Sequence, residues 1–347
     1  MSAYKVIEAE NMVKLDAMEN PYPWPEAIQQ QWLQTLKNCA VNRYPDPQAK
    51  TLTAVLRDSN RIPQQSAILL GNGSDEIIQI LLMSLPADSC VLAPEPGFVM
   101  YRQVARSLGL DYRDVPLLPG NFELDLSAML AAIDEFRPKL IFLAYPNNPT
   151  GNLFDAQSIK TIVAAAPGLV VIDEAYAPFA DASFIEHLGA YENLLVMRTV
   201  SKLGLAGLRL GFLAGHPLLI EQLDKIRLPY NINSLTQSTV VFALNHSEFL
   251  LNQTQTICRQ RAQMFEALSG MDTIKTFPSA ANFILFKTLA ADAGRVFELL
   301  KQQGILIKNL SNHGGLLENC LRVTIGTPEE NQAFLKALQY ALGHCRQ

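Results

Sequence analysis

From about residue 66 to 228, short apolar runs stand before clusters of Gly, Pro or Asn, and helix-like periods follow each cluster. AILL (67–70) leads into GNGSDE and then IIQILLMSL. CVLA (90–93) leads into PEPGF and VMYRQVARSLG, and LIFLA (140–144) into YPNNPTG and DAQSIKTIVAAA. LVVID (169–173) leads into EAYAPF, and NLLVM (193–197) into RTVSK. Strands apolar at every position, separated by helices, predict a mostly parallel mixed sheet covered by helices on both faces. Ligands in such α/β sheets bind outside the carboxyl ends of the strands, where the polar clusters stand.

Beyond residue 233 the pattern changes. Residues 234–268 contain no proline and read as one long helical stretch. NFILF (282–286), GILIK (304–308) and LRVTI (321–325) read as strands, with helices at 291–303 and 327–342. This predicts a second, smaller α/β unit. The first 35 or so residues carry PYPWP, too proline-rich for a helix or a central strand. The expected division is an arm at 1–35 that joins the smaller unit, a large domain at 36–233 and a small domain at 234–347.

Composition narrows the class. The chain has 347 residues, 49% of them apolar and 18% charged, with a net charge of −5. That excludes a disordered chain and disfavours nucleic acid as a partner. No run approaches a membrane span, and the N-terminus has no apolar signal core. The five cysteines, at 39, 90, 258, 320 and 345, form no C-x-x-C pair, so reduced thiols in a cytoplasm are expected. The histidines show no metal-like spacing, and no metal is expected.

Candidate chemistry centres on RTVSKLGLAGLRLGF (198–212). Most lysines on loops are solvated. Lys202 instead precedes LGLAGL, which is too apolar for a solvated loop. A lysine held among apolar groups loses proton affinity and becomes a nucleophilic amine. Asp173 ends an apolar strand in VVIDEAY; it is either a turn cap or the partner of a buried cation such as a protonated cofactor ring nitrogen. GNGSDE exposes the N–H groups of Gly73, Ser74 and Asp75 at a helix start, a fit for phosphate that a helix cap and tight turn explain equally well. Arg209, Thr199 and Ser201 could add donors to the same anion. Asn148 in YPNNPTG and Tyr176 could reach one ligand oxygen. Phe98 could stack on a ring, although an apolar side chain at a helix start is more often core.

Together these stretches resemble the fold-type I pyridoxal-phosphate aminotransferases. N-P-T-G, D-E-A-Y and S-K-x-x-G-L-A-G-x-R-like segments occur in that family's order, and the similarity covers about residues 15–330. KLDAMENPYPWP, NRYPDPQ and LRVTIGTPEEN look most like the histidinol-phosphate aminotransferases among them. The resemblance implies pyridoxal 5'-phosphate joined to Lys202, with Asp173 at its ring nitrogen and Asn148 and Tyr176 at its ring oxygen. It further implies Phe98 on the ring face and Ser74, Asp75, Ser201 and Arg209 around the phosphate. Tyr44 would reach that phosphate from the other subunit of a homodimer. Arg322 would bind the substrate's α-carboxylate, Lys308 would stand where relatives carry a phosphate-binding Arg, and Asn20 and Tyr22 would lie near the entrance.

The implied reaction moves an amino group between L-histidinol phosphate and 2-oxoglutarate. An aromatic-amino-acid aminotransferase and a threonine-phosphate decarboxylase share the layout. A non-catalytic regulator of this fold would usually carry a basic DNA-binding extension, and this chain has none. Two departures stand out. The turn between Lys202 and GLAG is one residue shorter than is common in the family. Lys308 is a point charge and lacks the guanidinium fork.

Overall fold

The computed structural model describes residues 11–345; residues 1–10 of the expected arm lie outside the described residues. Its strands are β1 (Val13–Lys14), β2 (Ala67–Gly71), β3 (Cys90–Glu95), β4 (Asp111–Pro116), β5 (Leu140–Ala144), β6 (Leu169–Asp173) and β7 (Leu194–Thr199). β8 (Gly211–Gly215), β9 (Ile274–Thr276), β10 (Phe283–Thr288), β11 (Ile305–Leu306), β12 (Lys308–Asn309) and β13 (Cys320–Thr324) follow. The helices used below are α1 (Glu26–Leu36), α2 (Lys50–Asn60), α3 (Ser74–Met83), α4 (Val99–Ser107), α5 (Leu126–Phe136) and α6 (Ala156–Ala165). α7 (Pro217–Asp224), α8 (Ser234–Asn245), α9 (Glu248–Ser269), α10 (Ala293–Gln302) and α11 (Pro328–His344) complete them.

Seven strands form the large sheet in the order β2-β8-β7-β6-β5-β3-β4. β8 runs antiparallel to both its neighbours; the other pairs are parallel. Leu140, Ile141, Phe142, Val170, Val171, Ile172, Leu195 and Val196 are fully buried. Successive strand residues face opposite sides, so burial at every position requires cover on both faces. One apolar cluster holds Ile141, Leu143 and Ile172 with Met129 of α5 and Ile159 of α6; another holds Phe142 and Val171 with Ile77 of α3 and Tyr101 of α4. The sheet therefore has the α/β layering expected from its apolar runs.

The second sheet, β12-β13-β10-β9, is antiparallel and carries α10 and α11 on a core of its own. The arm enters this unit through β1, which pairs in parallel with β11.

Four details differ from expectation. The stretch 234–268 is two helices, α8 and α9, broken at His246. Its ring stacks on Phe242 at 4.3 Å and its Nδ1 lies 2.9 Å from the Phe242 carbonyl oxygen, so the chain turns there without Gly or Pro. α8 shares the core of the large sheet through Val240, Ala243 and Leu244 rather than starting the smaller unit. GILIK splits at Ile307, with β11 joining the arm and β12 joining β13. The arm itself ends in a helix, α1, directly after Pro25. It docks on α8 through the Trp32 indole N–H, which donates to Thr239 Oγ1 at 2.9 Å. Among the described residues no helix is long and apolar enough to cross a membrane.

Candidate active site

The register of the large sheet assembles the site. Ala144 and Asp173, the last residues of β5 and β6, stand side by side with Met197, two residues before the end of β7. The loops that follow, YPNNPTG, EAYAPF and VSK, therefore open on one edge. Across the antiparallel strand, Gly71 and Thr199 both lie opposite Gly211. That register brings GNGS against the turn carrying Arg209. Gly211 must lack a side chain there, because a Cβ would meet the Ser74 backbone nitrogen at 2.7 Å.

One pocket opens at this edge. Ser74, Asp75, Phe98, Asn148, Asp173, Tyr176, Thr199, Ser201, Lys202 and Arg209 line it, together with Met18, Ala144, Pro146 and Ala175. Ten residues singled out in the sequence thus meet in one cavity.

Two of its ionisable side chains, Asp173 and Lys202, are moved toward neutrality. Burial pushes the Asp173 carboxyl up to about 6, helped by the charges of Asp75 and Glu174. Hydrogen bonds from the Tyr101 hydroxyl (2.5 Å, to Oδ2) and the Ala175 N–H (3.0 Å, to Oδ1) oppose that rise. Burial pushes the Lys202 amine down to about 8, and the guanidinium groups of Arg322 and Arg209 act in the same direction. Lys202 Nζ lies 3.5 Å from the Ala17 carbonyl oxygen and 5.8 Å from the Tyr176 ring centre.

One end of the pocket is built for an anion. α3 starts at Ser74, with Gly73 as its cap at φ +83°, so its first N–H groups are free of intrahelical partners. The Arg209 guanidinium lies directly over Gly73, where a Cβ would come within 2.6 Å of Nη2. Arg209 also pairs with Asp75 at 3.2 Å. The buried Thr199 hydroxyl donates to Ser201 Oγ at 2.9 Å. The shortened turn closes through Gly204 at φ +102°, which leaves room for the Asn20 amide, 2.8 Å from where a Cβ would be. Arg209 still reaches the anion end.

The other end faces the smaller unit. Asn148 Nδ2 donates to Tyr176 Oη at 3.2 Å, and Arg322 Nη1 donates to Asn148 Oδ1 at 2.6 Å. Lys308 pairs with Arg322 in the β12–β13 register, and burial followed by that guanidinium lowers its proton affinity. The segment 15–18 forms a strap over this end. The Thr324 N–H donates to the Leu15 carbonyl oxygen, Arg322 Nη2 to that of Asp16 and Asn282 Nδ2 to that of Met18.

Six expected residues, Gly73, Asn20, Tyr22, Tyr44, Lys308 and Arg322, do not line the pocket itself. Gly73 lies behind Arg209, and Arg322 and Lys308 stand beyond Asn148. Asn20 bonds Gln253 and caps the Tyr22 N–H. Tyr44 lies apart, 81% exposed and stacked on Tyr230 with ring centres 4.6 Å apart. Reasoning from the sequence missed Met18, Tyr101 and the buried pair of Glu174 with Arg198 (2.7 Å) beneath the strand ends. Only Tyr101 left a trace, lying three residues after Phe98 on the same helical face.

The anion donors, the buried acid and the amine, gathered in one pocket, fit a flat ring that carries a phosphate arm and a basic nitrogen. Comparisons with known proteins agree. The family described as aminotransferase class I and II matches residues 10–338. The chain is 53% identical to histidinol-phosphate aminotransferase 2 of Nitrosococcus oceani, over 98% of this chain and 94% of that protein. It is 49% identical to histidinol-phosphate aminotransferase 2 of Cupriavidus pinatubonensis, over 99% and 94%. Among solved structures, the histidinol-phosphate aminotransferase of Sinorhizobium meliloti in complex with pyridoxal-5'-phosphate superimposes with a TM-score of 0.84 at 24% identity, covering 95% of this chain and 91% of that one. That of Clostridium acetobutylicum gives 0.87 at 23% identity, covering 95% and 99%. The fold, the pocket and the family match agree, and this chain belongs to the class I and II aminotransferases, which depend on pyridoxal phosphate.

Proposed function

We propose that this enzyme transfers an amino group from L-histidinol phosphate to 2-oxoglutarate, giving imidazole acetol phosphate and L-glutamate. The observation that carries the substrate is the near full-length similarity, at 53% identity, to a histidinol-phosphate aminotransferase.

Pyridoxal phosphate, when bound, supplies a ring that takes up the negative charge left on the substrate carbon. The chain's own residues divide the remaining work. Lys202 Nζ would be the point of covalent attachment, and as a free amine it would take the substrate's α-proton. With its amine at about 8, roughly a tenth is neutral at pH 7, against well under a thousandth for an ordinary lysine. Asp173 holds the proton at the ring nitrogen. Asn148 and Tyr176 orient the ring oxygen, and Phe98 covers one ring face. Gly73, Ser74, Asp75, Thr199, Ser201 and Arg209 hold the phosphate. Arg322 binds the anionic group next to the reacting carbon. That group is a carboxylate in glutamate and a phosphate ester in histidinol phosphate. Lys308 adds a second positive charge beside it, and Asn20 and Tyr22 border the entrance.

A homodimer belongs to this reading. Tyr44, Tyr230, Val41 and Leu228 are exposed apolar side chains, and a second copy covering them would bring Tyr44 to the partner's phosphate end. Free cysteines support a cytoplasmic enzyme.

The deciding experiment mixes purified protein and 2-oxoglutarate with L-histidinol phosphate, L-phenylalanine or L-threonine O-phosphate. Glutamate formed fastest from histidinol phosphate, with ping-pong kinetics, is expected. Faster turnover of phenylalanine, or carbon dioxide released from threonine phosphate, overturns the substrate assignment.

A further inference from the structure

We propose that Tyr101 is a positioning residue for catalysis: its phenol O–H aims the Asp173 carboxylate and keeps it ionised. The proposal rests on the reading of Asp173 as the partner of the cofactor's ring nitrogen. Tyr101 does not line the pocket, and its action runs through Asp173.

The ring of Tyr101 is fixed on two sides. It stacks on Phe142 of β5 with centres 4.3 Å apart and planes 3° apart, and it meets Phe98 edge-on at 5.4 Å. The residue is 1% exposed, so the hydroxyl is held in one place. It lies 2.5 Å from Asp173 Oδ2. The direction of the bond is unambiguous, because burial and the neighbouring Asp173 push the phenol's proton affinity well above its usual value. Tyr101 therefore donates and the carboxylate accepts.

The arrangement divides the lone pairs of Asp173. Tyr101 takes one site on Oδ2 and the Ala175 N–H takes one on Oδ1. A carboxylate offers about four such sites, and the remainder serve the pocket. The charged surroundings make the phenol necessary. Asp75 and Glu174 both disfavour a second negative charge here, while Lys202 and Arg209 stand across the same pocket. Without the phenol, one of the two hydrogen-bond donors that oppose burial and those two acids is lost, and the carboxyl would hold its proton to higher pH. A protonated Asp173 cannot keep a proton on a ring nitrogen.

The test uses full-length apoprotein with Cγ-labelled aspartate, the Asp173 signal being assigned by its loss in Asp173→Asn. Tyr101→Phe keeps the ring and removes only the hydroxyl. The Asp173 midpoint is expected to rise about tenfold in proton affinity, roughly one pH unit. The acid limb of kcat in the loaded enzyme should move in the same direction. Identical midpoints in wild type and Tyr101→Phe overturn the proposal. A companion measurement needs no variant to fold: the Cζ signal of Tyr101 in the wild-type apoprotein should inflect at the Asp173 midpoint, and a flat signal overturns the proposal equally. A fully active Asp173→Asn would instead overturn the ring-nitrogen reading, while leaving the coupling of Tyr101 to the carboxyl as measured in the apoprotein.

Discussion

Arg322 Nη1 on β13 donates to Oδ1 of Asn148, beyond the end of β5, at 2.6 Å. Both side chains are buried; Arg322 lies on a strand of the smaller sheet and Asn148 on the loop that follows β5 of the larger one. The bond joins the smaller unit to the pocket of the larger one, and it leaves the Asn148 amide free to donate to Tyr176 at 3.2 Å. Asn148 and Arg322 are thus held as one assembly.

Arg322→Lys keeps the charge and removes the fork. KM for both 2-oxoglutarate and histidinol phosphate should rise ~10- to 100-fold, equivalent to about 1.4–2.7 kcal/mol. Steady-state kinetics with each substrate varied in turn check this; an effect on only one of them would contradict a shared anion site.

Lys202→Met should reduce amino transfer at least ~1000-fold, since it removes the amine proposed as general base. The same change stabilises the apoprotein at neutral pH. Burial lowers the native amine to about 8 from 10.5, so the native state holds that proton less tightly than the unfolded chain. The resulting penalty is complete below pH 8 and disappears as pH rises through about 10.5. The advantage of Lys202→Met, on the order of 1–3 kcal/mol by that linkage, should shrink over the same range. Denaturant titrations of apoprotein at pH 7 and pH 10 measure it.

For Asp173 the pH window is different. Its native carboxyl, at about 6 against 3.8, binds its proton more tightly than the unfolded chain does. Its contribution is therefore neutral below about pH 4 and becomes a penalty as pH rises through 6. Asp173→Asn apoprotein should melt above wild type at pH 7, and the difference should vanish as pH falls toward 4. A difference independent of pH would show that the carboxyl is not the cause.

Gly73→Ala places a methyl 2.6 Å from Arg209 Nη2 at a φ of +83°. The guanidinium must move away from the anion end, and the Gly73 backbone (φ +83°, ψ 167°), a region essentially reserved for glycine, adds strain of about 1–3 kcal/mol. Cofactor dissociation, followed by absorbance during dialysis, should speed up ~10-fold or more, while Lys202 remains competent at saturating cofactor.

Much of this architecture was legible because its cues are local. AILL, CVLA, LIFLA, LVVID and NLLVM are apolar at every position, and each became a strand of the large sheet. The break at His246 and the division of GILIK between two sheets were not legible. Neither break point, His246 or Ile307, is itself Gly or Pro; each depends on a neighbour, the Phe242 ring in one case and the arm in the other.

The sequence by itself determined the alternation of strand and helix, the placement of polar loops at strand ends and the identity of the lysine, the acid and the arginine. The first two follow from side-chain periods and turn residues, which act over a few positions; the three site residues stand in motifs that resemble those of the aminotransferase family. Only the tertiary structure decided that Tyr101 meets Asp173 across 72 residues and Arg322 meets Asn148 across 174. It alone brought the amine down to about 8 and the acid up to about 6. Proton affinities respond to burial and to charges brought close by folding, and distance along the chain contains neither.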